Sequence, residues 1–270
     1  MKKNAYPISR AVAWLLLALL PFLPGCVRAP YTERAQFMIV SEPEEMQLGA
    51  ASFDEIKKKS TLVTASPDLD AIKRVGTRIA AAAARPGYQW EFVLIKDKAV
   101  NAFALPGGKV AFYTGILPVT KDDTGIAVVM GHEVAHALAR HGAERLSQQE
   151  MMAIGQTALM VAIAGKSPAA QDALLSAYGV GAQVGVLLPF SRTQESEADK
   201  IGLILMAKAG YDPRAAVLFW KRMDERSGGN APPEFLSTHP GDKKRIKEIE
   251  EFLPVAMDVY RQGAPGATTR

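Results

Sequence analysis

The sequence predicts an α+β domain that is mostly helical and carries a small antiparallel sheet. Apolar residues recur at helical spacing in two long segments, and strand-forming residues are concentrated in three short segments that lie between them. The helical segments are residues 68–83 and the run that follows Ser191. The predicted strands are residues 90–95, 100–104 and 109–114. We therefore expect the sheet to lie in front of a buried helix that begins after Asp122.

The chain is expected to contain one domain with short additions at both ends. Its 270 residues are enough for a single well-packed core after a leader is removed. The composition divides the chain into a leader at residues 1–25, a tether and first helix at 26–60, a catalytic domain at 61–260, and a disordered tail at 261–270.

The leader is typical of a bacterial lipoprotein signal peptide. A basic start with Lys2, Lys3 and Arg10 precedes an apolar run that is too short to span a bilayer, and Cys26 follows. Cleavage before Cys26 would expose the single cysteine of the chain for acylation, so we interpret Cys26 as the lipidation site. The alternatives are an uncleaved signal anchor and a free thiol near a cleaved terminus. Val27 after the cysteine favours the outer membrane.

Net charge gives little support for nucleic-acid binding. Removal of the leader lowers the formal net charge from +4 to +1. The remaining basic clusters, at residues 57–59 and 243–245, are short, and we interpret them as solvated helix faces.

The strongest chemical motif is His132-Glu133-Val134-Ala135-His136. Residues four apart on a helix differ by about 40° around its axis, so the two imidazoles can bind one metal ion while Glu133 lies beside the open coordination position. Two histidines on an ordinary amphipathic helix are the alternative. We expect this helix to continue to about residue 146. On a continuous helix His141 would point away from the other two, so we interpret it as a surface or capping residue.

The third ligand is expected from a second helix that begins near Ser191. Glu195 and Asp199 share one face of that helix, so Glu195 can bind the metal while Asp199 holds a ligand histidine or transfers a proton. Glu197 would then face solvent or Arg192. The alternative is an acidic helix start that merely complements the helix dipole.

Four motifs in this order resemble a known family. They are residues 101–108, His132-Glu133-x-x-His136, Glu195-x-x-x-Asp199, and residues 237–240, and together they cover about residues 65–253. They resemble the zinc metallopeptidase family that contains the HtpX heat-shock protease, the CAAX prenyl endopeptidase, and the periplasmic BepA and LoiP proteases.

The resemblance implies a zincin-like fold and one Zn²⁺ per chain, bound by His132, His136 and Glu195. It also implies Glu133 as the catalytic glutamate and Asp199 as a candidate proton donor. No 34-residue repeat follows residue 240, so we expect no tetratricopeptide extension of the kind found in BepA-like relatives.

Two further segments are assigned to the site. Asn101, Ala102, Phe103 and Ala104 form the candidate edge strand for an extended peptide, and ordinary hairpin structure is compatible with this role. His239 follows a Gly- and Pro-rich loop and could stabilise an oxyanion or occupy the fourth position on the metal. The alternative for His239 is a helix cap before Pro240.

Residues 151–189 form a semi-hydrophobic segment with only Lys166 and Asp172 charged. Interrupting glycines favour a soluble helical hairpin packed on the core over a membrane span. A flap near the site and a surface that rests on lipid are further possibilities.

These observations predict a lipid-anchored zinc endopeptidase of the bacterial periplasm, expected at the outer membrane. Its substrates, by resemblance, are misfolded or misassembled envelope proteins, and outer-membrane assembly machinery is a possible partner. A peptide-binding chaperone or assembly factor with a silenced zinc site is the competing class, and the intact Glu133 argues against it. An integral-membrane protease is disfavoured by the scarcity of long apolar runs.

Overall fold

The computed structural model describes residues 27–227, 234–239 and 243–263. Its strands are β1 (Val27–Arg28), β2 (Ala35–Gln36), β3 (Glu91–Ile95), β4 (Ala102–Leu105) and β5 (Lys109–Tyr113). Its α-helices are α1 (Glu42–Lys59), α2 (Pro67–Ala83), α3 (Leu117–Thr120), α4 (Asp123–Leu138), α5 (His141–Ile163), α6 (Pro168–Ala182), α7 (Leu188–Lys208), α8 (Ala215–Ser227), α9 (Glu234–Thr238) and α10 (Lys243–Gly263). The mostly helical α+β class is confirmed.

Some predictions concern parts of the chain that lie outside the described residues. These are the leader, Cys26, most of the Gly- and Pro-rich loop at residues 228–233, Pro240, and the tail from residue 264 onwards. The tail was predicted to begin at residue 261, but α10 continues to Gly263.

β5 forms the centre of the three-stranded sheet. It pairs antiparallel with β4, as predicted, through a turn in which Gly107 and Gly108 have φ angles of 82° and 88°. The prediction that all strands run antiparallel is wrong for β3, which pairs parallel with β5. The chain leaves β3, crosses to the far side, and returns through the β4–β5 hairpin into the middle. The backbone of residues 61–63 covers the other edge of β3, and β4 is the outer strand on the opposite side of the sheet.

Helix α4 runs through the core. Asp122 caps its start by accepting a hydrogen bond from the Gly125 amide at 2.8 Å, and every residue from Gly125 to Leu138 is buried. It crosses α7 where two glycines meet. A Cβ atom on Gly202 would lie 3.0 Å from both Gly131 C and His132 N, so this approach requires the absence of a side chain.

The prediction that α4 continues to about residue 146 is wrong. The helix ends at Leu138, and Arg140 adopts a left-handed conformation with φ of 54° before α5 begins at His141. Arg140 is held in this conformation by Glu45, 2.6 Å away, and by the carbonyl of Val40 at 2.9 Å. The break turns the chain sharply next to the second motif histidine.

A helical hairpin was predicted within residues 151–189; the structure forms one from α5 and α6, residues 141–182, and it does not pack into the core. Helix α6 has no buried residue. Large apolar side chains lie exposed along both of its helices, with Val161 75% and Val180 64% accessible. Within the described part of the chain, the continuous helical run Pro168–Lys208 is long and apolar enough to cross a membrane, and its apolar portion is not buried.

We expect Gly202→Val to destabilise the protein because the new side chain meets the α4 backbone, which cannot move aside cheaply. Overpacking of this kind costs about 1–3 kcal/mol in the free energy of unfolding. The matched control is Gly179→Val, which enters open space in α6. Thermal and denaturant unfolding of both variants checks this. Equal stability of the two variants would contradict the close crossing.

Candidate metal centre

Four buried side chains from three parts of the fold meet at one point. Helix α4 supplies His132 and His136 one turn apart, α7 supplies Glu195, and His239 follows directly after α9. Their donor atoms all lie within 4.8 Å of one another. The structure thus brings together the three predicted ligands and adds His239, whose Nδ1 lies in the same cluster.

The spacing of these atoms fits zinc. His132 Nε2 lies 3.1 Å from His136 Nε2, 3.2 Å from His239 Nδ1 and 3.3 Å from Glu195 Oε2. Tetrahedral zinc with ligands at about 2.0–2.1 Å requires donor atoms about 3.3 Å apart. Imidazole nitrogens with one carboxylate are ligands that zinc prefers. His132, His136 and Glu195 would hold the ion, with His239 at the fourth corner.

The carboxylate of Glu133 lies inside this site without a full set of partners. It is only 2% exposed, and its Oε1 has no hydrogen-bond partner. His239 Nε2 lies 3.4 Å from that oxygen. Burial raises the pKa of Glu133, and the charges of His239 and His132 and the backbone amide of Ala104 oppose that rise. A carboxylate of raised pKa beside a metal site is suited to accept a proton.

Asp199 holds His132 from the side opposite the cluster. Its Oδ1 lies 3.0 Å from His132 Nδ1, and Arg245 donates to both carboxylate oxygens at 2.7 and 2.8 Å. Burial alone would raise the pKa of Asp199, but Arg245 and His132 lower it below its usual value. Burial also lowers the pKa of His132, yet hydrogen bonds to Asp199 and Glu195 outweigh it and raise that pKa to about 9. Of the two predicted roles for Asp199, this geometry favours positioning His132.

The interpretation of residues 243–245 as a solvated face is wrong for Arg245. Its side chain is buried, and its guanidinium carbon lies 3.5 Å from the centre of the Trp220 ring. Sequence patterns could not reveal this, because the partner carboxylate is 46 residues away.

The predicted positions of His141 and Glu197 are also wrong. His141 is fully buried, and its Nδ1 lies 2.8 Å from His136 Nδ1. Its Nε2 lies 2.9 Å from Glu197, which also binds Arg34 and Thr32. Burial would raise the pKa of Glu197, but these three partners lower it to about 2. The helix break at Arg140 causes the first error, because the angular argument assumed one continuous helix.

The candidate edge strand lies beside the metal cluster. Tyr113 N donates to Asn101 O at 3.1 Å, so Asn101 pairs with β5, and by alternation the backbone groups of Ala102 and Ala104 point outwards. The effect of the Ala104 amide on Glu133 agrees with this direction. Asn101 itself is mostly buried and donates to Glu234 Oε1 at 3.1 Å.

Phe103 packs on the far face of the sheet with Phe53. Asn101 and Phe103 therefore hold the strand in place, Ala102 is buried, and Ala104 is partly exposed.

A buried HExxH helix, a carboxylate ligand from a second helix and an adjoining strand edge together define a metallopeptidase with a zincin-like domain. Comparison with known proteins gives the family. The model of peptidase family M48 matches residues 68–253. The chain belongs to peptidase family M48, whose members are zinc metalloendopeptidases.

The relatives include a mitochondrial protease and bacterial proteases. The chain is 40% identical over 233 residues to the mitochondrial metalloendopeptidase OMA1 of Schizosaccharomyces pombe, which is 84% of this chain and 66% of that protein. It is 34% identical over 186 residues to the putative beta-barrel assembly-enhancing protease of Vibrio cholerae, 67% of this chain and 38% of that protein. The corresponding protease of Yersinia pestis is 30% identical over 217 residues, 77% of this chain and 44% of that protein.

The chain thus spans about two thirds of the yeast relative and less than half of the two bacterial ones. The family resemblance is confirmed. The periplasmic branch stays a prediction, because the mitochondrial enzyme from yeast is more similar than the bacterial proteases.

We expect His239→Ala to raise cleavage of an unfolded substrate while the zinc content stays at one per chain. In this structure His239 lies at the fourth corner of the cluster and against Glu133, so its removal frees both. Steady-state proteolysis with zinc analysis checks this. A fall in kcat of about 10²–10³ would instead assign His239 to oxyanion stabilisation. Unchanged activity with a lower Tm would leave it only a structural role.

Proposed function

We propose that this protein hydrolyses peptide bonds within unfolded or misassembled proteins, with Glu133 as the general base. The carrying observation is the buried Glu133 carboxylate, which has an unpartnered oxygen beside three zinc-type ligands. When bound, zinc supplies Lewis acidity that lowers the pKa of a water ligand to about 7. Glu133 takes the proton of the attacking water and delivers it to the amide nitrogen as the carbon–nitrogen bond breaks.

The geometry of β4 supports an extended peptide as the substrate. A peptide that pairs with the outward carbonyl of Ala104, whose amide donates to Glu133, would add a strand to the sheet. The carbonyl of the peptide bond to be cleaved would then lie beside Glu133, because the Ala104 amide faces that side chain. Recognition through backbone hydrogen bonds tolerates many sequences, which suits a protease that acts on unfolded chains.

The competing proposal is a peptide-binding chaperone or assembly factor with a silenced zinc site. It would use the same strand edge, but it has no need for a buried carboxylate of raised pKa. A structural zinc site also gains nothing from an unpartnered Glu133 oxygen, which costs about 1–3 kcal/mol to bury.

We expect Glu133→Gln to abolish cleavage while it preserves zinc binding, because the amide keeps the shape of the side chain and all ligands remain. The measurement is digestion of an unfolded protein by the wild type and the variant, with and without a chelator, alongside metal analysis of both. Chelation should stop the wild type, and added zinc should restore it. Equal digestion by both proteins would remove Glu133 from the mechanism, and no digestion by zinc-loaded wild type would favour the chaperone.

We further propose that the protein is lipid-anchored at Cys26 and faces the bacterial periplasm, with misassembled envelope proteins as substrates. Three observations support this proposal. The leader has the lipoprotein pattern, two bacterial relatives are described as beta-barrel assembly-enhancing proteases, and the α5–α6 hairpin exposes apolar side chains.

Val27, the first described residue, lies beside the start of that hairpin. Val27 packs with Met38 and Val40 against Ala143 in the first turn of α5. The first described residue after Cys26 is therefore attached to the base of the apolar hairpin, which supports a common membrane surface for the lipid and the hairpin. Outer-membrane assembly machinery remains a possible partner.

Cys26→Ser should abolish incorporation of labelled fatty acid and leave the protein unprocessed or in the soluble fraction. Cell fractionation and metabolic labelling of the wild type and the variant check this. If unlabelled Cys26→Ser protein were processed and stayed in the membrane, the α5–α6 hairpin would be the anchor and the lipid proposal would be wrong.

A further inference from the structure

A series of buried polar side chains contacts the imidazole of His136 on the side away from the ligand cluster. His136 Nδ1 lies 2.8 Å from His141 Nδ1, and His141 Nε2 lies 2.9 Å from Glu197 Oε2. His141 is fully buried, and Glu197 is only 5% exposed. A contact between two ring nitrogens is a hydrogen bond only when one donates and the other accepts, so the direction of the whole chain is constrained.

The carboxylate end sets that direction. Glu197 is paired with Arg34 at 2.7 Å, so it is ionised and can only accept. In a neutral His141 imidazole, the Nε2–H that donates to Glu197 leaves Nδ1 as an acceptor. His136 Nδ1–H donates to His141, and the lone pair on His136 Nε2 is left pointing into the ligand cluster.

Arg34 fixes the far end of this chain and comes from the N-terminal segment. Its Nε donates to Glu197 at 2.9 Å, and its two terminal nitrogens donate to Glu144 in α5 at 2.7 Å each. Thr32 adds a further hydrogen bond to Glu197. Arg34, in the segment predicted as the tether, is therefore connected to the metal ligand His136 through the side chains of Glu197 and His141.

The other motif histidine has a shorter version of the same arrangement. His132 Nδ1 contacts Asp199 directly, and Arg245 binds both oxygens of that carboxylate. The imidazole of each motif histidine is thus linked, directly or through one other side chain, to a carboxylate that an arginine binds. For His136 one additional imidazole bridges the gap, which the left-handed turn at Arg140 makes possible.

We propose that His141 and Glu197, fixed by Arg34, are positioning residues that hold His136 in the tautomer and orientation required to bind zinc. The inference rests on the metal site of the proposed function. It makes the N-terminal segment part of the metal centre. Partners of this kind typically contribute 10–100-fold to metal affinity. The competing interpretation is a buried ion cluster that only attaches the N-terminal segment to the domain.

The test is a zinc titration of the folded protein against a chromophoric chelator. Glu197→Gln and His141→Phe should each weaken zinc affinity by about 10–100-fold, and Glu195→Ala, which removes a ligand, should weaken it further. His141→Gln, which keeps a donor and an acceptor, should retain more affinity than His141→Phe. The matched control is Glu91→Gln on β3, which breaks the pairs with Lys57 and Lys109 but touches neither histidine nor the turn at Arg140. Its affinity should match the wild type even if its Tm falls.

Histidine ¹⁵N spectra of the zinc-loaded wild type give a second measurement that does not depend on variants. His141 should carry its proton on Nε2 and none on Nδ1. A protonated Nδ1 on His141 overturns the proposal, as does wild-type affinity in Glu197→Gln and His141→Phe, or an equal loss in Glu91→Gln. Wild type that binds zinc but digests no substrate would reject the proposed function alone and leave this inference standing.

Discussion

The metal site depends on how closely α4 and α7 approach each other at Gly131 and Gly202. With no side chain between them, the two backbones nearly touch, since a Cβ on Gly202 would lie 3.0 Å from His132 N. This contact sets the distance from the motif histidines to Glu195, because both ligand sets lie within two turns of the crossing. Donor atoms 3.1–3.4 Å apart tolerate little displacement. The packing of the two helices therefore determines the geometry of the metal site.

The helical repeat predicts those parts of the site that lie within single uninterrupted helices. His132 and His136 meet because α4 is continuous between them, and Glu195 and Asp199 share a face of α7 for the same reason. The order and direction of the strands could not be predicted in the same way. Strand pattern identifies β3, β4 and β5, but it cannot say that β5 inserts between the other two and pairs parallel with β3.

The residues behind the ligands could not be found from periodicity. His141 reaches His136 only because Arg140 breaks the helix with a positive φ, and no Gly or Asn marks that position. Arg34 and Arg245 lie 163 and 46 residues from the carboxylates they bind. Such long-range pairs are set by packing of the whole domain. Composition also failed to predict the position of the α5–α6 hairpin. Its residues are typical of a core, but α6 has no buried residue and large apolar side chains are exposed on both helices.

The central claim is a zinc site built from two motif histidines and Glu195, with His239 at the fourth corner. X-ray absorption at the zinc edge of the purified full-length protein tests it most directly. We expect one zinc per chain with four nitrogen or oxygen ligands at about 2.0–2.1 Å and the scattering signature of three imidazoles. A sulfur ligand at about 2.3 Å, or a shell without imidazole scattering, would contradict it.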